Sequence, residues 1–375
     1  MAWLTRTLGV VLIAIAMIDI FMTVLYPRTG NSILSMPISK GTWNIFRQIA
    51  RWSKSVTRSD VEDSRILSYC GSVILVIVAT VWIALFILGF ALFVWSALGD
   101  EIVASQGKTP TDFGTALYYS GYNFTTLGIG NLVPKSTMCQ LFTILQAASG
   151  FATFTVTLTY LLSVLNALTQ RNVFALSLHH RMAGKANVAR LIISWGMDDE
   201  FTNTRSDITN ISRDLFMLLE SHHSYPILHY FRFPEPLYSL ARMTYITMDT
   251  AALLQSALHQ QHYRALINST AVAELQTGGL YMLEQLSDSF LQNRHHQERF
   301  VEKEWREWYF YVIEQLKLSE IKTPEDIEAG ADLYVSLRRE WNGKVAAFAK
   351  HMAFKWHEIV PTDLEKISTF PPIQD

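Results

Sequence analysis

Seven consecutive residues, Thr125-Thr126-Leu127-Gly128-Ile129-Gly130-Asn131, carry the most distinctive chemistry in the sequence. Two glycines alternate with branched apolar residues, and glycine adopts positive φ at little cost. That freedom lets successive peptide carbonyls turn toward one side. With the Thr126 hydroxyl, the carbonyls of Thr126, Leu127, Gly128 and Ile129 can form a ladder of hard oxygen ligands. Repeated around a fourfold axis, such rings can replace the water shell of a dehydrated cation, and they suit an alkali ion without any fixed metal. A glycine-containing turn between two helices is the plainer reading of the same residues.

The segment needs elements to hold it. Upstream, Thr109-Pro110-Thr111-Asp112 offers a helix start, with a hydroxyl cap and a proline in the first turn. A short apolar helix over about 113–124 follows. It is too short to cross a bilayer, so it must enter and stop where its end is buried in protein or lines a water-filled cavity. Three apolar runs, 8–26, 73–97 and 141–168, approach or exceed the roughly 20 residues a spanning helix requires. The first carries Asp19, lacks a small-x-small cleavage site and ends at Tyr26-Pro27-Arg28, which favours a retained span over a leader. A carboxylate within a span is costly and calls for a partner. A hydrogen bond to the second span and a gating contact both remain open for Asp19.

Composition agrees with a membrane class. Of 375 residues, 17% are charged and 50% hydrophobic, against about 25% charged in soluble domains. The net charge of −2 lacks the basic excess of a nucleic-acid binder. Cys70 and Cys139 provide neither a disulfide framework nor a cysteine zinc site. Between the first two runs, Arg28, Lys40, Arg47, Arg51, Lys54, Arg58 and Arg65 face only Asp60, Glu62 and Asp63. This bias places the loop in the cytoplasm. The N-terminus then lies outside, and everything after about residue 170 lies inside a plasma or bacterial inner membrane. Trp43, Phe46, Ile49, Ala50 and Val56 recur at helical spacing, with Arg47, Arg51 and Lys54 on the other side. That pattern predicts an amphipathic helix at the inner membrane surface.

Taken in order, these residues resemble the pore of potassium channels with one pore loop per subunit. Ala116-Leu117-Tyr118-Tyr119-Ser120 is similar to the aromatic-rich pore helix, and residues 125–131 are similar to the T-T-V-G-Y-G-D signature. Leu132-Val133-Pro134 follows as the outer mouth does. Gly150, twenty positions after Gly130, stands where the family often has a gating-hinge glycine. The likeness runs ungapped over about 116–163. It implies a passive, non-enzymatic pore for K+ as permeant ion, with no other metal or cofactor. Since the chain has one filter, closing the ring takes three further copies, a homotetramer in the lipid bilayer. The ion-binding residues would be Thr126, Leu127, Gly128, Ile129 and Gly130. Tyr118, Tyr119, Tyr122, Asn123, Thr125 and Asn131 would support them. The register implies that Phe151, Phe154, Thr155, Leu158, Thr159 and Leu162 line the cavity, with Phe154 and Leu158 as an apolar constriction. Ile129 replaces the family's tyrosine, Asn131 its aspartate, and Tyr122 a glutamate of some bacterial members. A nonselective cation pore of the same architecture is therefore the alternative.

The expected fold is an all-α membrane protein: an extra N-terminal span over 1–28, a linker with an interfacial helix over 29–66, a pore domain over 67–170 and a helical cytoplasmic domain over 171–375. Helical runs are expected at 188–194, 208–219, 237–257 and 305–318, broken by Pro226, Pro234 and Pro236, and Gly278-Gly279 reads as a turn. No G-x-G-x-x-G nucleotide motif is present there, so any cytoplasmic ligand is unidentified. A membrane-anchored enzyme or receptor is the remote alternative, without a catalytic motif behind it. His179-His180, His222-His223, His259 with His262, and His295-His296 read as solvated or core residues. A proton switch, or a metal held by His259 and His262, is the sharper alternative. Outside, Asp100, Glu101 and Asp112 outweigh Lys108, with Lys135 opposing; they can concentrate cations or merely form a solvated loop.

Overall fold

A computed structural model describes residues 2–26, 32–57, 60–182, 184, 186–197, 201–291 and 302–360, with side chains left out over 54–63. It divides into two compact units, Met1–Ala167 with His223–Phe231, and Leu168–His222 with Arg232–Asp375. Three helices are long and apolar enough to cross a membrane: Ala2–Leu25, Cys70–Ala97 and Thr137–Arg181.

In the first unit, α1 (Ala2–Ile20) runs into a five-residue π-helix, Phe21–Leu25, and packs against α4 (Cys70–Val94). Two glycines set the crossing. A Cβ on Gly89 would lie 2.8 Å from the carbonyl oxygen of Gly9, and one on Gly9 would overlap the carbonyl oxygen of Gly89. Small residues let spanning helices approach backbone to backbone, and the fully buried Ala16 continues the same face of α1. Near the start of α1, Arg6 Nε donates to Ser96 Oγ at 2.8 Å.

Asp19 has its partner. Its Oδ1 accepts from the backbone N–H of Leu34 at 2.7 Å and of Ser35 at 3.3 Å. Its Oδ2 accepts from Ser35 Oγ at 2.5 Å and from Trp82 Nε1 at 2.7 Å. The carboxylate thus caps, from another element, the N-terminus of α2 (Ser35–Thr57), where orphan N–H groups favour an anion. The bond to the second span runs through Trp82.

Helix α2 is amphipathic, as its spacing predicts, but the split of its apolar face is particular. Trp43 and Ala50 are buried within the protein, Trp43 beside Tyr230, whereas Ile45, Ile49 and Trp52, at i, i+4 and i+7, stay exposed. Val56 and Lys54 lie among the residues whose side chains are not described. A further helix, α3 (Asp60–Ser68), precedes α4.

Beyond α4 comes a feature the helical pattern did not announce. Strand β1 (Ile102–Ala104) pairs antiparallel with β2 (Leu132–Pro134), in the register Ile102 with Pro134 and Ala104 with Leu132. This three-residue ladder pins together the two ends of the stretch between α4 and the next long helix. Between the strands lies α5 (Phe113–Phe124), and after them α6 (Thr137–Arg181), an unbroken helix of 45 residues.

The second unit is helical, with α7 (Val188–Gly196), most of α8 (Thr204–Ser224), α9 (Leu240–Ser256), α10 (Arg264–Ile267), α11 (Thr270–Phe290), α12 (Glu302–Leu318), α13 (Ile327–His351) and α14 (Trp356–Ile359). Helix α9 is buried on nearly every side, as a central helix must be, and packs against α7, α11 and α13. At its heart, the buried Asp249 accepts from Tyr334 Oη at 2.5 Å and Trp308 Nε1 at 3.0 Å. Arg338 lies 3.6 Å from the same carboxylate, its guanidinium 5.3 to 5.8 Å from the ring centres of Tyr245, Trp305, Trp341 and Tyr334. The proline breaks fall as expected, in 3-10 turns at Pro226–Tyr230 and Pro236–Tyr238. The reading of Gly278-Gly279 as a turn is corrected: both lie inside α11. A Cβ on Gly278 would overlap the Phe216 ring, and one on Gly279 would overlap Met248 Sδ. The pair is glycine because two neighbouring helices come too close for a side chain.

Candidate functional site

Helix α5 begins where the sequence places it, but its cap is a carboxylate rather than a hydroxyl. Asp112 accepts from the Thr115 N–H at 3.0 Å and from Thr115 Oγ1 at 2.8 Å, and these bonds hold its carboxyl below its ordinary value. Thr109 Oγ1 instead accepts from the Ala104 N–H at the end of β1. The buried face of α5, with Ala116, Tyr119 and Tyr122, packs into a cluster with Ala91, Val94, Leu98, Ile102 and Leu132. At the other end, the Phe124 ring centre lies 5.4 Å from that of Phe86 and 6.3 Å from that of Phe90.

The chain leaves α5 through stacked turns. Thr125 N–H donates to Gly121 O, Thr126 N–H to Asn123 O and Leu127 N–H to Tyr122 O, all at 2.8 to 3.0 Å. From there φ alternates in sign: it is +58° at Thr126, +59° at Gly128 and +76° at Gly130, and Leu127 and Ile129 between them are not left-handed. Thr126 takes that conformation without being glycine, a strained state that the stacked turns enforce. Alternating handedness rotates successive peptides in opposite senses, which lets neighbouring carbonyls project to one side. The whole stretch from Thr125 to Asn131 is exposed in the single chain.

The supporting side chains bond as follows. Tyr122 Oη donates to the Leu132 carbonyl at 3.1 Å and so bridges α5 to the strand after the seven-residue segment. Asn131 Nδ2 reaches Tyr118 Oη at 3.4 Å. Tyr119 Oη pairs with Thr143 Oγ1 of α6 at 2.7 Å. Asn123 Nδ2 turns back onto the Tyr119 carbonyl, and Thr125 Oγ1 onto Gly121 O; neither reaches the segment beyond. Gln146, fully buried on α6, donates to Ser120 O at 2.8 Å, a contact that sequence reading missed because only the fold brings 120 and 146 together.

Phe151, Phe154, Thr155, Leu158, Thr159 and Leu162 are all exposed on one face of α6, whereas Thr153 is buried. Thr153, Thr155 and Thr159 each donate to the carbonyl four residues earlier at 2.8 to 2.9 Å. On the exposed face this leaves the hydroxyl lone pairs, not the hydrogens, toward the open side. Gly150 lies within the continuous helix, and a Cβ there would overlap the carbonyl oxygen of Phe124. Close approach of α6 to the end of α5 is thus a requirement for glycine that stands beside the expected hinge.

Of the three carboxylates Asp100, Glu101 and Asp112, two are committed. Asp112 caps α5, and Glu101 Oε2 accepts from Ser136 Oγ at 2.6 Å and from Cys139 Sγ at 3.2 Å. Those two bonds hold Glu101 below its ordinary value. Among the described residues no three His, Cys, Asp or Glu are placed to hold a metal ion. His259 Nδ1 accepts from the His262 N–H, its Nε2 lies 3.5 Å from Glu325, and Lys322 Nζ sits against the His262 ring. His295 and His296 fall outside the described residues.

Residues 73–167 match a family model described as an ion channel, a stretch that takes in α4, α5, the seven-residue segment and the apolar part of α6. The chain is 30% identical over 223 residues, 60% of its length, to an uncharacterized membrane protein of Bacillus subtilis (strain 168), YdjJ. The match covers 61% of that relative's own length. No solved structure matches.

Proposed function

We propose that this chain is one of four identical subunits of a potassium-selective channel, with residues 126–130 as its filter. The observation that carries this reading is the alternation of φ sign through Thr126, Gly128 and Gly130 at the end of a capped, non-spanning helix between two spans. Four such segments around one axis stack carbonyl rings, and rings of this kind replace the hydration shell of K+. The exposed filter and the exposed α6 face, both apolar or carbonyl-rich, are the surfaces that fourfold closure covers. Phe154 and Leu158 form the constriction, closing by excluding water. The N-terminus is external and the second unit cytoplasmic, following the Lys and Arg bias of the first loop.

Purified protein in planar bilayers with K+ on one side and Na+ on the other tests this directly. The expected reversal potential lies close to the K+ equilibrium potential. A reversal near zero, meaning equal permeability, supports instead a nonselective cation pore. Ile129 favours that second reading, since its side chain offers no hydroxyl to tether the filter.

A further inference from the structure

The last turns of α6 and the helix α8 face each other within the second unit. Arg181 Nη1 lies 3.1 Å from Asp207 Oδ1, so α8 starts near the end of α6 and runs back along it. Beyond that pair a cavity of about 180 Å³ lies between the two helices, several times the roughly 30 Å³ that one water takes up. It has room for a small organic molecule.

Its walls are mostly apolar. Phe174 and Leu218 are buried and Met217 is partly exposed, and positions 214, 217, 218 and 221 share one face of α8 by helical spacing. Among the described residues that line the cavity, Arg171 and Asp214 alone carry charge, one from each helix. Counted from the Arg181–Asp207 pair at about 1.5 Å per residue, Arg171 stands roughly 15 Å back along α6 and Asp214 roughly 10 Å along α8. The two charges therefore lie at levels roughly 5 Å apart, within reach of one short molecule.

Charge decides what fits. Arg171 is only 5% exposed. Burial pushes the Asp214 carboxyl above its ordinary value, against the pull of Arg213 and Arg181. A simple anion drawn to Arg171 meets the Asp214 carboxylate, and a simple cation drawn to Asp214 meets the guanidinium. An apolar molecule would dehydrate both charges and compensate neither. A zwitterion answers both. Thr169, Gln170 and Ser221 also line the cavity, and since a hydroxyl or an amide can donate or accept, they favour neither sign.

We propose that this cavity binds a free amino acid with an aliphatic side chain, its carboxylate toward Arg171, its ammonium toward Asp214 and its side chain against Phe174, Met217 and Leu218. The bound molecule joins α6 to α8.

The test uses the full-length protein in phosphatidylglycerol nanodiscs, titrated with radiolabelled L-leucine in a scintillation proximity assay. Saturable binding is expected. 4-Methylpentanoate, which lacks the ammonium, and 3-methylbutylamine, which lacks the carboxylate, should each compete about ten-fold or more less well than unlabelled leucine. Asp214→Asn and Arg171→Met should weaken binding by a similar factor, and Met217→Trp, which fills the cavity from a partly exposed position, should abolish it while leaving the melting temperature close to wild type. If Arg171→Met does not fold, the other two variants carry the test. Absence of saturable binding, a one-charge analogue that competes as well as leucine, or unaltered binding in Asp214→Asn or Met217→Trp would overturn the proposal. So would loss of leucine binding in phosphatidylethanolamine nanodiscs, which would assign the cavity to a lipid headgroup. The readout is binding and not current, so it stands or falls apart from the channel reading.

Discussion

Gly150 of α6 lies so close to Phe124 that a single added methyl would share space with that residue's carbonyl oxygen and come within 2.7 Å of its carbonyl carbon. At this point α6 and the end of α5 approach too closely for any side chain at position 150, immediately before the segment 125–131. A glycine needed only for bending would tolerate alanine in a resting channel. A glycine needed for contact would not.

Gly150→Ala is accordingly expected to damage the protein before any question of gating arises. Overpacking typically costs about 1–3 kcal/mol, and here the obstacle is main chain, which cannot rotate away. We expect a lower melting temperature and, if the proposed fourfold assembly forms, its loss on size-exclusion chromatography. A variant with normal assembly and altered open probability alone would assign Gly150 to the hinge.

The Asp19 carboxylate predicts a graded series. Asp19→Leu strands the N–H groups of Leu34 and Ser35 and the Trp82 indole, and each buried unsatisfied donor costs about 1–3 kcal/mol. Asp19→Asn keeps one carbonyl acceptor and should fall between Leu and wild type. Trp82→Phe removes one donor only and should cost least. Thermal melts in detergent, followed by intrinsic fluorescence, give the order, and equal melting of all three variants would refute it.

Tyr122→Phe removes the bond from its hydroxyl to the Leu132 carbonyl and little else. The expected loss of stability is small, about 0.5–1.5 kcal/mol. On the proposed reading the functional loss should be larger, because this bond fastens the chain directly after residues 126–130. Recordings should show reduced K+ over Na+ discrimination or faster decay of current; unchanged selectivity and kinetics would remove Tyr122 from filter support.

Acid stability tests Glu101. Its folded-state value is depressed by the Ser136 hydroxyl and then the Cys139 thiol, so its contribution is full above the ordinary glutamate value of about 4.3. That contribution is lost as pH falls through the lower folded value. Glu101→Gln should therefore lower the melting temperature at pH 7 slightly and flatten its decline on the acid side. A variant whose acid limb superimposes on wild type would show that the two bonds contribute nothing.

In the second unit, Asp249→Ala leaves the Arg338 guanidinium buried without its carboxylate. Breaking a buried pair from one side costs about 3–5 kcal/mol. Asp249→Asn, which still accepts from Tyr334 or Trp308, should lose less. A pair of variants with indistinguishable melting temperatures would mean that the surrounding rings alone sustain Arg338.

The parts legible in the sequence are those set by local periodicity and by backbone chemistry. The helix over 113–124 followed from a short apolar run, though the sequence named a hydroxyl where the Asp112 carboxylate is the cap, and the positive φ at 128 and 130 followed from the alternating glycines. Partners distant in the chain were not legible. Nothing around Asp19 indicates Ser35 or Trp82, and nothing around Gln146 indicates Ser120. Gly278-Gly279 misled because the demand for glycine came from Phe216 and Met248 on other helices rather than from a turn. The β1–β2 ladder was missed because three residues are too few to show alternation.

The crossing of Gly9 over Gly89 has a mechanical consequence. Side chains between two helices act as a cushion that takes up small displacements, and where Gly9 meets Gly89 neither residue contributes one. Sideways force on the first span, as from a thinning bilayer, is expected to pass into α4 at this crossing. The extra span then serves as a handle on α4, and replacing Gly89 by a bulkier residue would loosen the grip.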